Sequence, residues 1–534
     1  MASISYFLAV FSLLSVHFYS SALAFTPTPI DLDYAIHAPT YVNSTASGTR
    51  VALYNNIRFA YPPTGNLRFR KPRTPPPHEA GIQDGRDRLY KSDCVSSAPA
   101  GIPFPGLNGS TWGQEDCLFL NVYVPEGVRP GIDRVPVVHW IYGSAYAFGS
   151  KDLMWDGMPL MDHIRSPEDQ FIYVASNYRM GLYGWTSAED EDMDANVGLH
   201  DAIAAVEWTQ KYISRFGGDP DNITVMGESA GGNMIALMLV AEGLELPFQK
   251  AFLSSPAMLP RRNVTTRRRD VFNQVLKAAN CTSLECLRNA SPSTLVEANK
   301  YLLTEVPGES GGASFGPGIG LGPFPDGHFI PDAMTALFEE GRFNKQVRSV
   351  ISGNMAAEGL QTTPDVSTAA EFATLVRRLL PGATDRTVQR IRDLYPYPDS
   401  EIQAVAVDWT TDAVFACNAQ AAARAYADRG HRYVFSVPPA THGLDLNYLF
   451  YRSQDQTTMA IEALAREFQS KTLDFIRGQN CASGGGVEDW PVYGKGFSTA
   501  NITERGFVTA VDPWATRKNC DLIFDLIMDP SNGA

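Results

Sequence analysis

The sequence predicts an α/β fold with a doubly wound, mostly parallel central sheet flanked by helices. Continuous apolar, β-branched runs recur along the chain, and each is followed by turn residues; the runs are 135–142, 171–178, 222–227, 250–255, 347–352 and 432–437. Such runs are typical of strands buried on both faces of a parallel sheet. Helical patterns follow at about 196–214, 229–242 and 457–477. A repeated order of strand and then helix indicates a parallel sheet covered by helices.

The composition indicates a globular chain with an acidic balance. With 534 residues, of which 44% are hydrophobic and 19% are charged, the chain can bury a large core. Its formal net charge of −14 gives no overall basic field, so we do not expect nucleic acid as a partner. We expect the one basic run, Arg261, Arg262 and Arg267 to Arg269, to be a solvated loop or helix start.

The first 24 residues have the pattern of a signal peptide. An apolar stretch is followed by Ala22-Leu23-Ala24, the small-residue pattern that signal peptidase reads, so we expect cleavage after Ala24 and a mature chain of 25–534. The stretch has no Lys or Arg before it, which leaves an uncleaved anchor as the alternative. No later run is long and apolar enough to span a bilayer, so we expect a secreted or secretory-lumen protein without integral membrane association.

Seven N-x-Ser/Thr sequons suit a secretory protein. Asn222 lies beside a predicted core strand and Pro292 follows the Asn289 sequon, so these two are the weaker acceptors. The glycosylation candidates are Asn43, Asn108, Asn263, Asn280 and Asn501.

Seven cysteines allow at most three disulfides in an oxidising compartment. Proximity in sequence favours Cys94 with Cys117 and Cys281 with Cys286. We then expect Cys481 to pair with Cys520 and Cys417 to be buried and free. No spacing of Cys and His predicts a metal site, and we expect no metal.

The segment Gly227-Glu228-Ser229-Ala230-Gly231 follows a predicted strand and opens a predicted helix. A serine on such a turn is exposed above the end of the strand, and glycines two residues away on either side let the strand and helix approach closely. The helix start directs free N–H groups at developing negative charge. The sequence therefore predicts Ser229 as a nucleophile, with an ordinary glycine turn as the alternative.

A serine nucleophile needs a base, and the base needs an orienting acid. In folds with this elbow the chain order is serine, acid, histidine, which leaves His328, His431 and His442. His442 follows the predicted strand 432–437, where catalytic loops lie, whereas His431 begins that strand. The pattern therefore predicts His442 as the base. Glu358 follows the strand 347–352, but many carboxylates lie on such loops, so the pattern alone leaves the acid open.

Several motifs in one order resemble the type-B carboxylesterase/lipase family of α/β-hydrolases. They cover nearly the whole mature chain: NIRFAYPPTGNLRFRKP (56–72), EDCLFLNVYVP (115–125), NYR (177–179), NVGLHDAIAAVEW (196–208), FGGDPDNITVMGESAGG (216–232), PDGHFIP (325–331) and WPVY (490–493). The resemblance implies one α/β-hydrolase domain over 25–534, with insertions forming a gorge. It also implies a nucleophile at Ser229, an acid at Glu358 and a base at His442, no cofactor, and the Cys94–Cys117 and Cys281–Cys286 bridges.

The turn Tyr142-Gly143-Ser144-Ala145-Tyr146 lies where this family has HGGGF or YGGGF, a segment that supplies oxyanion-hole N–H groups. The resemblance implies donors on Ser144, Ala145 and Ala230. Non-glycine residues restrict the backbone and add side chains beside the acyl site, so we expect Ser144 and Tyr146 to narrow the pocket or offer it a hydroxyl. A plain strand exit is the alternative. The substrate-pocket candidates are Tyr142, Gly143, Tyr146 and Glu228.

The resemblance implies hydrolysis of a small-molecule ester through an acyl-enzyme. The loop between Cys94 and Cys117 is short and rich in proline, whereas a lipase acting on oil droplets generally needs a larger mobile lid. We therefore favour soluble or small esters over acylglycerols. Two further classes stay open: acyl transfer or intramolecular acylation by the same triad, and a non-catalytic binding member of the family.

Overall fold

An 11-stranded sheet lies at the centre of the computed structural model of the chain. The structure describes residues 25–88, 91–99, 106–153, 155–258, 262, 265–305, 321–457, 460–478 and 490–534. In chain order the strands are β1 (Ile30–Asp31), β2 (Ile36–His37), β3 (Tyr41–Ser44), β4 (Arg50–Arg58), β5 (Ile82–Gln83), β6 (Ser96–Ser97), β7 (Thr111–Trp112), β8 (Phe119–Pro125), β9 (Val135–Ile141), β10 (Ile172–Ser176), β11 (Gly218–Glu228), β12 (Lys250–Ser254), β13 (Ser349–Met355), β14 (Gly430–Phe435), β15 (Ser498–Thr503) and β16 (Gly506–Val511).

The large sheet has the strand order β16-β15-β14-β13-β12-β11-β9-β10-β8-β4-β3. Its seven central strands, from β15 to β10, are parallel to one another, and the outer strands pair antiparallel. This confirms the predicted fold class. Carboxyl ends of parallel strands meet at one edge of a sheet, so the turns after β9, β11, β13 and β14 lie near one another.

All six predicted strand runs fall on these parallel strands. Every residue of β10, β12, β13 and β14 is buried, which is the physical reason that apolar residues occur on both faces rather than alternating, although β13 and β14 also bury Asn354, His431 and Arg432. Two small sheets accompany the large one: β1-β2-β5 and β6-β7.

Helices cover the sheet, with α3 and α4 packed on β11, α13 on β13 and β14, and α15 on β9. α15 is amphipathic, because its buried residues recur at helical spacing. The α-helices are α1 (Met158–Met161), α2 (Gly181–Trp185), α3 (Val197–Tyr212), α4 (Ala230–Val240), α5 (Thr265–Ala278), α6 (Leu284–Asn289), α7 (Pro292–Lys300), α8 (Met334–Glu339), α9 (Gly359–Thr362), α10 (Ala369–Leu379), α11 (Asp385–Arg392), α12 (Ile402–Thr410), α13 (Cys417–Tyr426), α14 (Leu444–Leu449), α15 (Glu462–Arg477), α16 (Pro513–Arg517) and α17 (Asn519–Met528).

Shorter helical turns complete the chain. Two are π-helical, Tyr301–Glu305 and Thr411–Ala416, and the second leads directly into α13. The 3-10 turns are Gly65–Leu67, Arg86–Arg88, Pro167–Asp169, Ile213–Phe216, Asp399–Glu401, Ala427–Arg429 and Pro530–Asn532.

The disulfides differ from the sequence prediction at one pair. Cys94–Cys117 and Cys281–Cys286 are present as predicted. The predicted pair Cys481–Cys520 with a free Cys417 is wrong, because Cys417 on α13 is bonded to Cys520 on α17. Both cysteines belong to a second apolar cluster, which brings residues 103 positions apart to a Cα–Cα distance of 5.3 Å. Cys481 lies outside the described residues.

The basic run lies at a helix start, as one of the two predicted alternatives, but it is less solvated than predicted. Arg267 to Arg269 lie in α5, and Arg268 is buried, with an ion pair to Glu189 at 2.8 Å and its guanidinium over the Phe324 ring. Arg262 pairs with Asp332. Arg261 lies outside the described residues. Arg268 therefore connects α5 to Glu189 and Phe324, and Arg262 connects the segment before α5 to Asp332.

The sequons differ in exposure. The asparagines at three candidates are exposed, namely Asn43, Asn108 and Asn280, and so is that at Asn289. Asn222 and Asn501 are half-buried, and Asn501 Oδ1 accepts a hydrogen bond from Ser436. Asn263 and residues 1–24 lie outside the described residues. Among the helices described, none is long and apolar enough to cross a membrane.

Candidate active site

Ser229 lies at the turn between β11 and α4. Its backbone has φ 56° and ψ −123°, a conformation rare for a residue with a side chain and costing about 1–3 kcal/mol. The flanking glycines are required by close approach: a Cβ on Gly231 would lie 2.0 Å from Ile141 O, and one on Gly227 would lie 2.8 Å from the same oxygen. The turn after β11 thus packs directly on the end of β9.

His442 lies in the loop between β14 and α14 and contacts the serine. Its Nε2 is 2.9 Å from Ser229 Oγ, and its Nδ1 is 2.6 Å from Glu358 Oε2. With the proton on Nδ1, the ring donates to the carboxylate and Nε2 is left to accept from the serine hydroxyl. The Phe415 ring packs on the imidazole at 4.6 Å, so the ring is held from its side as well.

Glu358 is fully buried three residues after β13. Its second oxygen, Oε1, accepts from Ser255 Oγ at 2.6 Å and from the Met355 N–H at 2.7 Å. A Cβ on the following Gly359 would lie 2.1 Å from Val407 O, so glycine is needed there. These contacts hold the Glu358 carboxylate in position beside His442 Nδ1.

The three predicted residues therefore meet at the carboxyl ends of β11, β13 and β14. The other two histidines after the elbow do not join them. His431 lies within β14 and its Nδ1 is hydrogen-bonded to Trp490 O at 2.7 Å, and His328 is exposed on a loop.

The turn after β9 lies against Ser229. A Cβ on Gly143 would lie 2.7 Å from Glu228 O and 2.9 Å from Ser229 Cβ, so only glycine fits. The next three residues, Ser144, Ala145 and Tyr146, all have left-handed backbones, with φ of 74°, 52° and 63°. Each such residue with a side chain costs about 1–2 kcal/mol. The turn therefore adopts a conformation suited to glycine although glycine is absent at these positions.

Sequence comparison places this geometry in a family. The profile of the family described as "Carboxylesterase family" matches residues 40–509. The chain belongs to this family. "Carboxylesterase patB" of Penicillium expansum is 31% identical over 507 residues, covering 84% of the chain and 88% of that protein. "Secreted lipase" of Arthroderma benhamiae is 29% identical over 480 residues, covering 83% and 89%.

A solved structure shares the fold. The crystal structure of Aspergillus niger EstA superposes with a TM-score of 0.79 at 24% identity, covering 95% of the chain and 99% of that structure. Together with the family and the carboxylesterase relatives, this makes the protein a carboxylic-ester hydrolase with an α/β-hydrolase fold.

A second carboxylate faces the imidazole of the esterase. Glu228 Oε1 lies 3.2 Å from His442 Nε2, and the Glu228 side chain is buried. Burial raises the pKa of Glu228 to about 8, although the adjacent His442 acts in the opposite direction. Burial by itself lowers the pKa of His442, but attraction to Glu228 and Glu358 outweighs it and raises that pKa to about 9. Glu228 and Glu358 thus favour the protonated form of the His442 imidazole.

One more buried acid, Asp445, lies three residues after His442, and no sequence pattern predicts it. Asp445 Oδ2 accepts from Ser254 Oγ at 2.5 Å and from Tyr433 OH at 2.7 Å. Burial raises the pKa of Asp445 to about 6. Nothing in the sequence distinguishes Asp445 or Ser255 from other polar residues near turns, because their partners are distant in sequence.

Two N–H groups beside the serine lack protein acceptors. Among the described residues, neither the Ala145 N–H nor the Ala230 N–H donates to a protein atom. Ala230 is the first residue of α4, where backbone N–H groups have no partner within the helix and the helix dipole is positive. Both groups are therefore able to bind an anionic oxygen.

The pocket candidates of the esterase separate into two kinds. Tyr142 is buried, its ring stacks on Tyr178 at 4.8 Å, and the Tyr178 hydroxyl contacts the Tyr142 and Gly143 carbonyls, so Tyr142 supports the turn from behind. This burial argues against contact of Tyr142 with substrate. Gly143 and Glu228 are also buried, whereas Tyr146 is half-buried, as are the predicted oxyanion residues Ser144 and Ala145. No group of three or more potential metal ligands occurs within the described part of the chain.

Proposed function

We propose that the esterase is a secreted serine hydrolase that cleaves soluble or small carboxylic esters through an acyl-enzyme on Ser229. The observation that carries this proposal is the continuous hydrogen-bond chain from Ser229 Oγ through His442 to Glu358. A single catalytic domain over residues 25–534 holds the triad.

The first half-reaction follows from this geometry. His442 Nε2 takes the hydroxyl proton while Ser229 Oγ attacks the ester carbonyl, and Glu358 stabilises the imidazolium that forms. The carbonyl oxygen becomes an oxyanion that accepts from the N–H groups of Ser144, Ala145 and Ala230. One such donor contributes about 3–4 kcal/mol to transition-state stabilisation. The imidazolium then gives its proton to the leaving alcohol, and the acyl-enzyme remains.

The second half-reaction uses the same groups. His442, neutral again, takes a proton from water, and the resulting hydroxide attacks the acyl carbon. Collapse of the second tetrahedral intermediate releases the acid and returns the proton to Ser229. No cofactor is needed.

Secretion is supported by three features. These are the signal-peptide pattern of residues 1–24, disulfides of a kind typical of oxidising compartments, and sequons with exposed asparagines. The relative named "Secreted lipase" is consistent with the same compartment. That name also favours acylglycerols as the second candidate substrate class.

The test is an ester panel from acetyl to palmitoyl esters, assayed below and above the solubility limit of each. Ser229→Ala should lower kcat by about four orders of magnitude or more, whereas the matched control Ser293→Ala, exposed on α7, should keep the parent activity. A phosphonate ester should label the peptide that contains Ser229. Hydrolysis retained by Ser229→Ala would overturn the proposal.

The same panel separates the alternatives. A rate that rises sharply when long-chain esters form droplets would assign the protein as a lipase. Ester consumption that exceeds acid release in the presence of an added alcohol would assign acyl transfer. A folded protein that neither hydrolyses esters nor reacts with the phosphonate would be a non-catalytic member of the family.

A further inference from the structure

The side chain of Tyr146 joins the turn after β9 to the helix that follows the nucleophile. Its hydroxyl accepts a hydrogen bond from Asn233 Nδ2 at 2.6 Å and lies 3.4 Å from the Ala257 carbonyl, to which it donates. Asn233 is fully buried on α4, and its own N–H donates to the Ser229 carbonyl. The bond therefore links the turn to the helical turn that begins at Ser229.

Two further elements hold Tyr146. Its ring packs edge-to-face on Trp185 of α2 at 4.9 Å, and a Cβ on Gly322 would lie 3.3 Å from the ring. Its carbonyl accepts from the Gly181 N–H at 2.7 Å, at the start of α2. The ring, the carbonyl and the hydroxyl of Tyr146 are thus each held by a separate contact.

The turn needs such support because its backbone is unfavourable. Ser144, Ala145 and Tyr146 are consecutive, have side chains, and all have positive φ. A turn released from its contacts would return toward negative φ, which would change the direction of its N–H groups. Glycine tolerates both conformations, so a glycine-rich turn would not need the same support.

We propose that the Tyr146–Asn233 hydrogen bond is a latch that keeps the N–H groups of this turn aligned with Ser229. Tyr146 and Asn233 are then positioning residues, since they act through the backbone of Ser144 and Ala145. The inference rests on the proposed function, in which this turn binds the oxyanion. It predicts that loss of the bond weakens the transition state more than it weakens substrate binding.

The test compares Tyr146→Phe, Asn233→Leu and the double variant. Tyr146→Phe leaves the Asn233 amide and the Ala257 carbonyl without the hydroxyl and should lower Tm, whereas in Asn233→Leu the hydroxyl keeps the Ala257 carbonyl. The double variant removes the unpaired buried amide, so its Tm should lie above that of Tyr146→Phe. All three variants should lose kcat about 10-fold, with KM within about 2-fold of the parent, since a hydrogen bond of this kind is worth about that factor. The non-additivity of the two changes reports their direct coupling.

A transition-state analogue gives an independent readout. A trifluoromethyl ketone forms a tetrahedral adduct with an oxyanion, so its Ki should rise about as much as kcat falls in Tyr146→Phe. Tyr173→Phe is the matched control, because Tyr173 is a buried tyrosine whose hydroxyl contacts the Trp155 carbonyl. The control should leave both kcat and Ki unchanged.

Different results overturn the two proposals. If kcat recovers together with Tm in the double variant, or if Tyr146→Phe keeps the parent kcat while Ser229→Ala is inactive, the latch is wrong and the proposed function stands. If Ser229→Ala retains hydrolysis, the proposed function itself is wrong.

Discussion

Glu228 Oε1 lies 3.2 Å from His442 Nε2, the same imidazole nitrogen that faces Ser229. The nitrogen that must accept the serine proton is therefore also adjacent to a buried carboxyl. Attraction to Glu228 and Glu358 more than offsets the effect of burial on His442 and raises its pKa to about 9. A base of this kind is protonated, and so inactive, over a wider pH range than an isolated histidine.

Glu228→Gln should move the acidic limb of the kcat/KM profile to lower pH. His442 must be neutral to act as a base, so activity is lost as pH falls through its pKa, and removing one attracting carboxylate lowers that pKa. We expect a shift of about one pH unit. The plateau should fall several-fold, because the imidazolium formed in the transition state loses a neighbouring carboxylate. Glu462→Gln, exposed on α15, is the control, and an acidic limb that does not move in Glu228→Gln would contradict the assignment.

Gly143→Ala should abolish most of the activity. The new Cβ would lie 2.7 Å from Glu228 O and 2.9 Å from Ser229 Cβ, so the turn must move away from the nucleophile. Loss of one oxyanion donor alone lowers kcat by about 100- to 1,000-fold. Gly496→Ala is the control, since a Cβ there meets only Ser498 Oγ at 3.6 Å. Equal kcat in both variants would show that the turn takes no part in catalysis.

Ala145→Gly should stabilise the fold. Relief of the left-handed backbone gains about 1–2 kcal/mol, and the greater freedom of glycine in the unfolded chain offsets about 0.4–1 kcal/mol. Ala147→Gly, two residues along, has no positive φ to relieve and should lower stability by about 1 kcal/mol. Thermal unfolding of the two variants measures the difference. A lower Tm for Ala145→Gly would show that the turn is not strained.

Removal of the Cys417–Cys520 bridge should destabilise the protein more than removal of Cys281–Cys286. The chain-entropy model gives about 4.7 kcal/mol for a loop of roughly 100 residues and about 2 kcal/mol for one of roughly five. The two loops here span 103 and 5 positions. Replacing both cysteines of each bridge by serine and comparing Tm under oxidising conditions tests the ranking. An equal loss of Tm would mean that loop closure does not dominate.

Local patterns predict the central sheet and single out Ser229 and His442, for physical reasons that involve only a few residues. Strands buried on both faces are rich in apolar residues without alternation, and the close contacts of Gly227 and Gly231 with β9 require glycine. Ser229, Glu358 and His442 each follow such a strand. The local pattern is enough for Ser229 and His442, but it leaves the acid open, and Glu358 follows only from the resemblance to the family.

The remaining features depend on contacts between distant segments. Cys417 pairs with Cys520 because α17 packs on the π-helical turn 411–416 that leads into α13, and no local spacing indicates that packing. In the sequence Asn233 is one residue of a predicted buried helix, and no local pattern predicts its hydrogen bond to Tyr146. The sequence also does not predict the left-handed backbone conformation of Ser144 and Ala145, since residues of these types ordinarily avoid it.

Ser229, Glu358 and His442 of the proposed triad are spread over 213 positions of sequence and lie at three strand ends of one sheet. Two of those strands, β11 and β13, are separated by β12, so the register of four strands must be correct before Ser229 can meet His442. No short fragment of the chain contains the complete site. Esterase activity is thus a sensitive reporter of refolding yield, because it returns only in molecules whose central sheet has assembled.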